Sequence, residues 1–111
     1  MDAQEKVDQF VAWAADNPNA ILAMYTRAKQ YAIERGYVSA NYLLEWLRYD
    51  SKVKIHTPDG YVFDYKAPNT FATIFGRYLA KDPAIRPCIQ LNRSEYDLCY
   101  LPPIPYIGEQ A

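Results

Sequence analysis

The stretch Asn69–Lys81, NTFATIFGRYLAK, limits the possible folds of this chain more than any other. Phe71, Ile74, Phe75, Tyr78 and Leu79 recur at i, i+3, i+4, i+7 and i+8, the spacing of an α-helix with one apolar face. Thr70, Thr73, Arg77 and Lys81 keep helical spacing on the other side, with no apolar member among them. Pro68 favours an extended approach, Asn69 or Thr70 can cap the first turn, and Asp82-Pro83 stops the helix. The spacing therefore predicts a helix that presents its polar stripe to a partner while the rest of the chain holds its apolar face.

Charge along the chain agrees with that reading. The net charge of the 111 residues is −1, which argues against a strongly basic binder, but the distribution is uneven. Residues 1–50 carry five basic and seven acidic side chains, residues 51–93 seven and three, and residues 94–111 none and three. The positive block contains the 69–81 helix, and a basic segment in a neutral chain fits an electrostatic footprint for phosphate.

The remaining elements follow in order. Residues 4–16 have the pattern of a helix buried through Val7, Phe10, Val11 and Ala14, ended by Asn17-Pro18. Residues 20–35 form a second, with Asn19 as cap and Gly36 as the left-handed stop. Tyr37-Val38-Ser39 is a short extended step, and Ser39 caps a helix over 40–49 with Leu43, Leu44 and Leu47 inward. Residues 53–65 read as a hairpin about Pro58-Asp59-Gly60. Its register sets Ile55 opposite Phe63, Thr57 opposite Tyr61 and Val53 opposite Tyr65, all on one face, with Lys54 opposite Asp64 on the other. A second hairpin is expected over 88–100 with its tip at Asn92–Glu95, placing Leu91 opposite Tyr96, Ile89 opposite Leu98 and Cys88 opposite Cys99. The tail, LPPIPYIGEQA, holds three prolines and reads as extended. The expected architecture is α+β: a mainly helical domain over residues 1–101 with four helices and two β-hairpins, followed by a proline-rich tail at 102–111.

This order resembles a winged helix-turn-helix. The resemblance implies that Asn69–Lys81 is the helix that reads DNA and Asn92–Glu95 the wing tip, with the hairpin at 50–68 inserted where the family has a short turn. A second resemblance rests on F-x-x-W-x-x-x-N-P, G-Y-x-S-A-x-x-L-L-x-x-L-R, D-G-Y and N-T-F-A-T-I-F-G-R, spread over roughly residues 10–93. That set is similar to small uncharacterised phage and prophage proteins. It implies a mobile-element origin and no defined activity; phage proteins of this size are often DNA-binding regulators, and others are inhibitors of a host defence protein, anti-CRISPR proteins included.

Catalytic chemistry has little support. There is no P-loop, no G-x-G-x-x-G and no paired-carboxylate motif, and His56, the lone histidine, falls on the polar face of the first hairpin. Two cysteines and one distant histidine are not a metal-ligand set, so neither cofactor nor metal is expected. No apolar run suits a membrane span and MDAQEKVD is too polar for a signal peptide, so a cytoplasmic protein with reduced cysteines is expected.

The expected function is non-enzymatic DNA binding through Lys66, Asn69, Thr70, Thr73, Arg77, Lys81, Arg86 and Arg93, with a homodimer left open. On that reading Arg77→Ala reduces DNA affinity and leaves the fold intact, while Phe75→Ala loosens the domain by about 3–5 kcal/mol. The alternative is a protein-binding module. The acidic first half, the tail and the excess of tyrosine, eleven in all, favour it.

Overall fold

The structure, a computed structural model, describes residues 2–49, 55–56, 62–63 and 70–107. Four helices carry the fold: α1 (Ala3–Asp16), α2 (Pro18–Arg35), α3 (Ala40–Tyr49) and α4 (Thr70–Leu79). Asp2 starts α1 by accepting a hydrogen bond from the Glu5 amide at 2.8 Å. Val7, Phe10 and Ala14 form its buried stripe. The chain turns at Asn17, and α2 begins at Pro18 rather than at residue 20, because proline fits the first helical position, where no N–H is required. Gly36 closes α2 in the left-handed region at φ 67°, as its position predicts. The Ser39 hydroxyl accepts from the Tyr42 amide at the start of α3, and Leu43, Leu44 and Leu47 point into the core.

Helix α4 packs against both α1 and α3. Its predicted stripe is buried in full, and so are Ala72, Gly76 and Arg77, leaving Thr70 and Thr73 half-covered. Phe10 of α1 is the centre of an aromatic cluster, with ring centroids 5.2 Å from Phe71, 6.0 Å from Phe75 and 5.8 Å from Tyr78. Such edge and tilted contacts add about 0.5–1.5 kcal/mol per pair beyond the area they bury.

The expected α+β architecture with two hairpins does not hold: the domain is mainly helical. Where the first hairpin was expected, the described residues are β1 (Ile55–His56) and β2 (Val62–Phe63), antiparallel, with Ile55 opposite Phe63. The turn at 58–60 and the pairs Thr57/Tyr61, Val53/Tyr65 and Lys54/Asp64 lie outside the described residues.

The second hairpin, the wing of the winged-helix reading, is absent. Arg86–Cys88 and Glu95–Leu98 are 3₁₀ turns instead. The cause is local. The Ser94 hydroxyl accepts from the Tyr96 amide at 3.1 Å, and the Asp97 carboxylate accepts from the Ser94 amide at 3.0 Å. This capping box curls the chain and satisfies backbone groups that a ladder would have used. Tyr96 is buried while Leu98 is 97 % exposed, so the predicted alternation fails. Cys88 and Cys99 are free thiols; each donates weakly to carbonyls of its own neighbourhood, Cys88 to Ala32 and Ala84 and Cys99 to Glu95.

Residues 89–94 instead form a strap across α3 and α4. It is joined to the step before α3 by a parallel bridge between Val38 and Ile89, with Val38 donating to the Cys88 carbonyl at 2.9 Å. Gly76 permits its close approach: a Cβ there would lie 3.1 Å from Leu91 Cδ2.

The described part of the tail lies on its own domain. The Gln4 side-chain amide clamps both backbone groups of Tyr100, the Tyr78 hydroxyl donates to the Pro102 carbonyl, and Ile104 and Ile107 are buried. Ile104–Ile107 is a tight turn with Pro105 at its second position and Tyr106 at φ 71° in its third, where glycine is the usual residue.

Candidate functional site

The polar stripe of α4 does not face outward as a unit. Arg77 is 9 % exposed, and its guanidinium is occupied by the protein itself. Nε and Nη2 reach Asp97 Oδ1 at 3.1 and 3.0 Å, Nη1 donates to the Thr73 carbonyl at 3.0 Å, and Nη2 donates to the Asn92 carbonyl. Arg77 thus fastens the strap and the following 3₁₀ turn to the middle of α4. The expectation that it lies off the core, available to DNA with no structural role, is overturned by this burial. The carboxyl of Asp97 is held below its ordinary value, first by the Ser94 amide and then by Arg77, with Arg93 adding a smaller electrostatic contribution.

Thr70 opens α4 at its half-buried first position, and Thr73 lines a cleft while its carbonyl serves Arg77. Lys66 and Asn69 lie outside the described residues. Lys81, Arg86 and Arg93 are exposed. They come from three separate places: the end of the α4 region, the first 3₁₀ turn and the strap. With Arg77 they converge on one cleft of 360 Å³, closed on the other side by Tyr96, Asp97 and Leu101.

The electrostatics of this basic cleft follow from who is paired with whom. Among the described residues Asp97 is the only carboxylate in its lining, and it is engaged with Arg77. Lys81 sits 5.2 Å from the Tyr78 ring centroid and 3.4 Å from the Leu101 carbonyl, contacts that hold the ammonium without cancelling its charge. Among the described residues neither Arg86 nor Arg93 forms a salt bridge. Three positive charges therefore face the cleft without a salt bridge among the described residues, Arg93 acting on Asp97 only at longer range. Tyr96 lines the cleft with its hydroxyl shut away from solvent and without a hydrogen-bond partner among the described residues. Burial, followed by the charge of Glu95, pushes that phenol above its ordinary value, so it keeps its proton.

A second, larger cleft of 570 Å³ lies on the other side of the strap. Its floor is Ala72, Thr73 and Gly76, and its walls are the start of α3 and the strap itself. Arg77 and Arg93 line both clefts, and among the described residues no carboxylate lines the larger one.

Sequence reasoning identified Lys81, Arg86 and Arg93 but not Tyr37, Asn41, Gln90, Asn92 or Tyr96. One signal was available. A glycine in the middle of an apolar helix, Gly76, marks a place where another segment comes close. Among the described residues no group of acidic, histidine and cysteine side chains could hold a metal ion, and no helix is long and apolar enough to cross a membrane. Compared with protein-family models, curated proteins and solved structures, the chain matches none.

Proposed function

We propose that this protein is a non-enzymatic nucleic-acid-binding module that grips the phosphate backbone with Lys81, Arg86 and Arg93. The observation that carries the reading is the convergence of these three cations, from separate segments, on one cleft whose sole carboxylate among the described residues is already used by Arg77. A polyanion entering there meets positive charge without displacing an internal ion pair. The mode differs from a reading helix in a groove, because α4 is interior. A role as a DNA-binding regulator of a mobile element is compatible with backbone gripping.

The test is fluorescence anisotropy against random-sequence duplex DNA over a range of salt. Three phosphate contacts give a slope of about −3 in log K against log salt. The variant Lys81→Ala/Arg86→Ala/Arg93→Ala loses both the affinity and the slope. Absence of salt-sensitive binding by the wild type contradicts the reading.

One observation favours a second reading, a module that binds a host protein: Leu98 is 97 % and Tyr100 69 % exposed on neighbouring positions. Such an interface, centred on apolar and tyrosine contacts, would respond little to salt.

A further inference from the structure

We infer that the larger cleft is a nucleobase site, and that the strand this protein grips is single. The inference rests on the phosphate-binding reading and names its substrate class. Its volume, 570 Å³, falls in the range of about 300–1,000 Å³ typical of small-ligand sites. Its chemistry suits an unpaired base. Tyr37 stands at the wall with 59 % of its surface exposed, an aromatic face left open for stacking. Asn41, Gln90 and Asn92 bring side-chain amides, each with a donor and an acceptor, the combination that reads base edges.

The charge pattern selects the same ligand. A nucleotide carries a phosphate beside its base, and a carboxylate in the lining would repel it; among the described residues the lining has none. Arg93 lines this cleft and the basic one, so it stands where the phosphate following a bound base would pass toward Lys81 and Arg86. A duplex keeps its bases stacked and paired, and could use only the basic cleft. A single strand can place a base against Tyr37 and its backbone along the cations, which is the general arrangement of stacking platform and electrostatic groove.

The experiment compares an oligothymidylate and an oligouridylate of about twelve nucleotides, a length suited to a small single-strand site, with a mixed-sequence duplex. Anisotropy titrations at low salt use wild type, Tyr37→Ala and Tyr37→Phe, with circular dichroism as the control for folding. Wild type is expected to bind the single strands more tightly than the duplex. Tyr37→Ala lowers single-strand affinity about five- to 150-fold, the span of one lost base–aromatic stack, and leaves duplex affinity unchanged. Tyr37→Phe keeps the ring and stays close to wild type. Equal affinity of wild type and Tyr37→Ala for the single strands overturns the base site but leaves the phosphate grip standing, provided the duplex still binds. A wild type that binds neither form overturns the phosphate grip, and the base site with it.

Discussion

Arg77 and Arg93 carry the same group into the same two clefts, yet they do different work. Arg77 is folded inward, with its guanidinium spent on Asp97 and two backbone carbonyls. Arg93 sits on the strap that Arg77 fastens, exposed and without a salt bridge among the described residues. The difference lies in what covers each one. The strap crosses α4 at Gly76, so the neighbouring side chain of the helix is enclosed and has to find partners, while the outer surface of the strap faces solvent. A buried guanidinium is tolerated when its donors are satisfied, and its partners then depend on it. Charge periodicity along a helix therefore shows where cations lie relative to the helix axis. It does not show which of them another segment will cover.

Substitutions can break this comparison at several levels. The largest effect belongs to the platform under both arginines. Phe75→Ala, at a site 1 % exposed in the Phe10 cluster, is expected to cost about 3–5 kcal/mol in chemical denaturation. Next is Arg77→Ala, expected to cost about 2–3 kcal/mol, because charge-assisted hydrogen bonds to the strap are lost and their acceptors are left without partners. Arg77→Lys restores the charge but not the forked geometry, and is expected to recover only part of the loss. An Arg77→Ala protein as stable as wild type would show that the strap is held by other means.

Acid sharpens the contrast further. Asp97 is held below its ordinary value by the Ser94 amide and then Arg77. Asp82 is also held low: burial pushes it up, but the Tyr25 hydroxyl, the Ala84 amide and Lys29 outweigh that. A carboxylate with a depressed folded pKa contributes stability that is complete above its unfolded value, near pH 4, and is lost as pH falls through its lowered folded value. Melting temperature should therefore drop on acidification below about pH 4, and the drop should be shallower in Asp97→Asn. At the alkaline end the sign reverses. The Tyr25 phenol, buried and hydrogen-bonded to Asp82, is pushed up to about 12, so its contribution declines from about pH 10 as the unfolded phenol ionises. A tyrosinate absorbance titration should show Tyr25→Phe lacking a late-ionising group. The smallest effect on stability is expected for Lys81→Ala/Arg86→Ala/Arg93→Ala, within about 0.5 kcal/mol per site, since surface groups of this kind contribute little to folding.

Much of the helical frame was legible in the sequence. The 40–49 helix has the predicted bounds, Gly36 takes the left-handed stop, and all five residues of the apolar stripe from Phe71 to Leu79 are buried. The pairing of Ile55 with Phe63 also follows from alternation about the Pro58-Asp59-Gly60 turn. These signals are short-range and periodic. What was not legible depends on competition between local and distant contacts. Ser94-Glu95-Tyr96-Asp97 can be a polar hairpin tip or a capped turn. Asp97 settles it by accepting from Ser94 and from Arg77, which lies twenty positions earlier in the chain. The site was legible as a list of cations but not as a place. Arg86 and Arg93 join Lys81 only because the strap folds back over α4, and Tyr37 enters because Val38 bridges to Ile89.

The division between the two kinds of arginine can be observed directly by NMR, following the arginine Nε–Hε resonances as random-sequence DNA is added at low salt. The account predicts that Arg86 and Arg93 shift with saturation while Arg77 stays in place, its Nε–H still donated to Asp97. A shift at Arg77 equal to or larger than those at Arg86 and Arg93 would contradict it, and would return Arg77 to the role of a group that meets the nucleic acid itself.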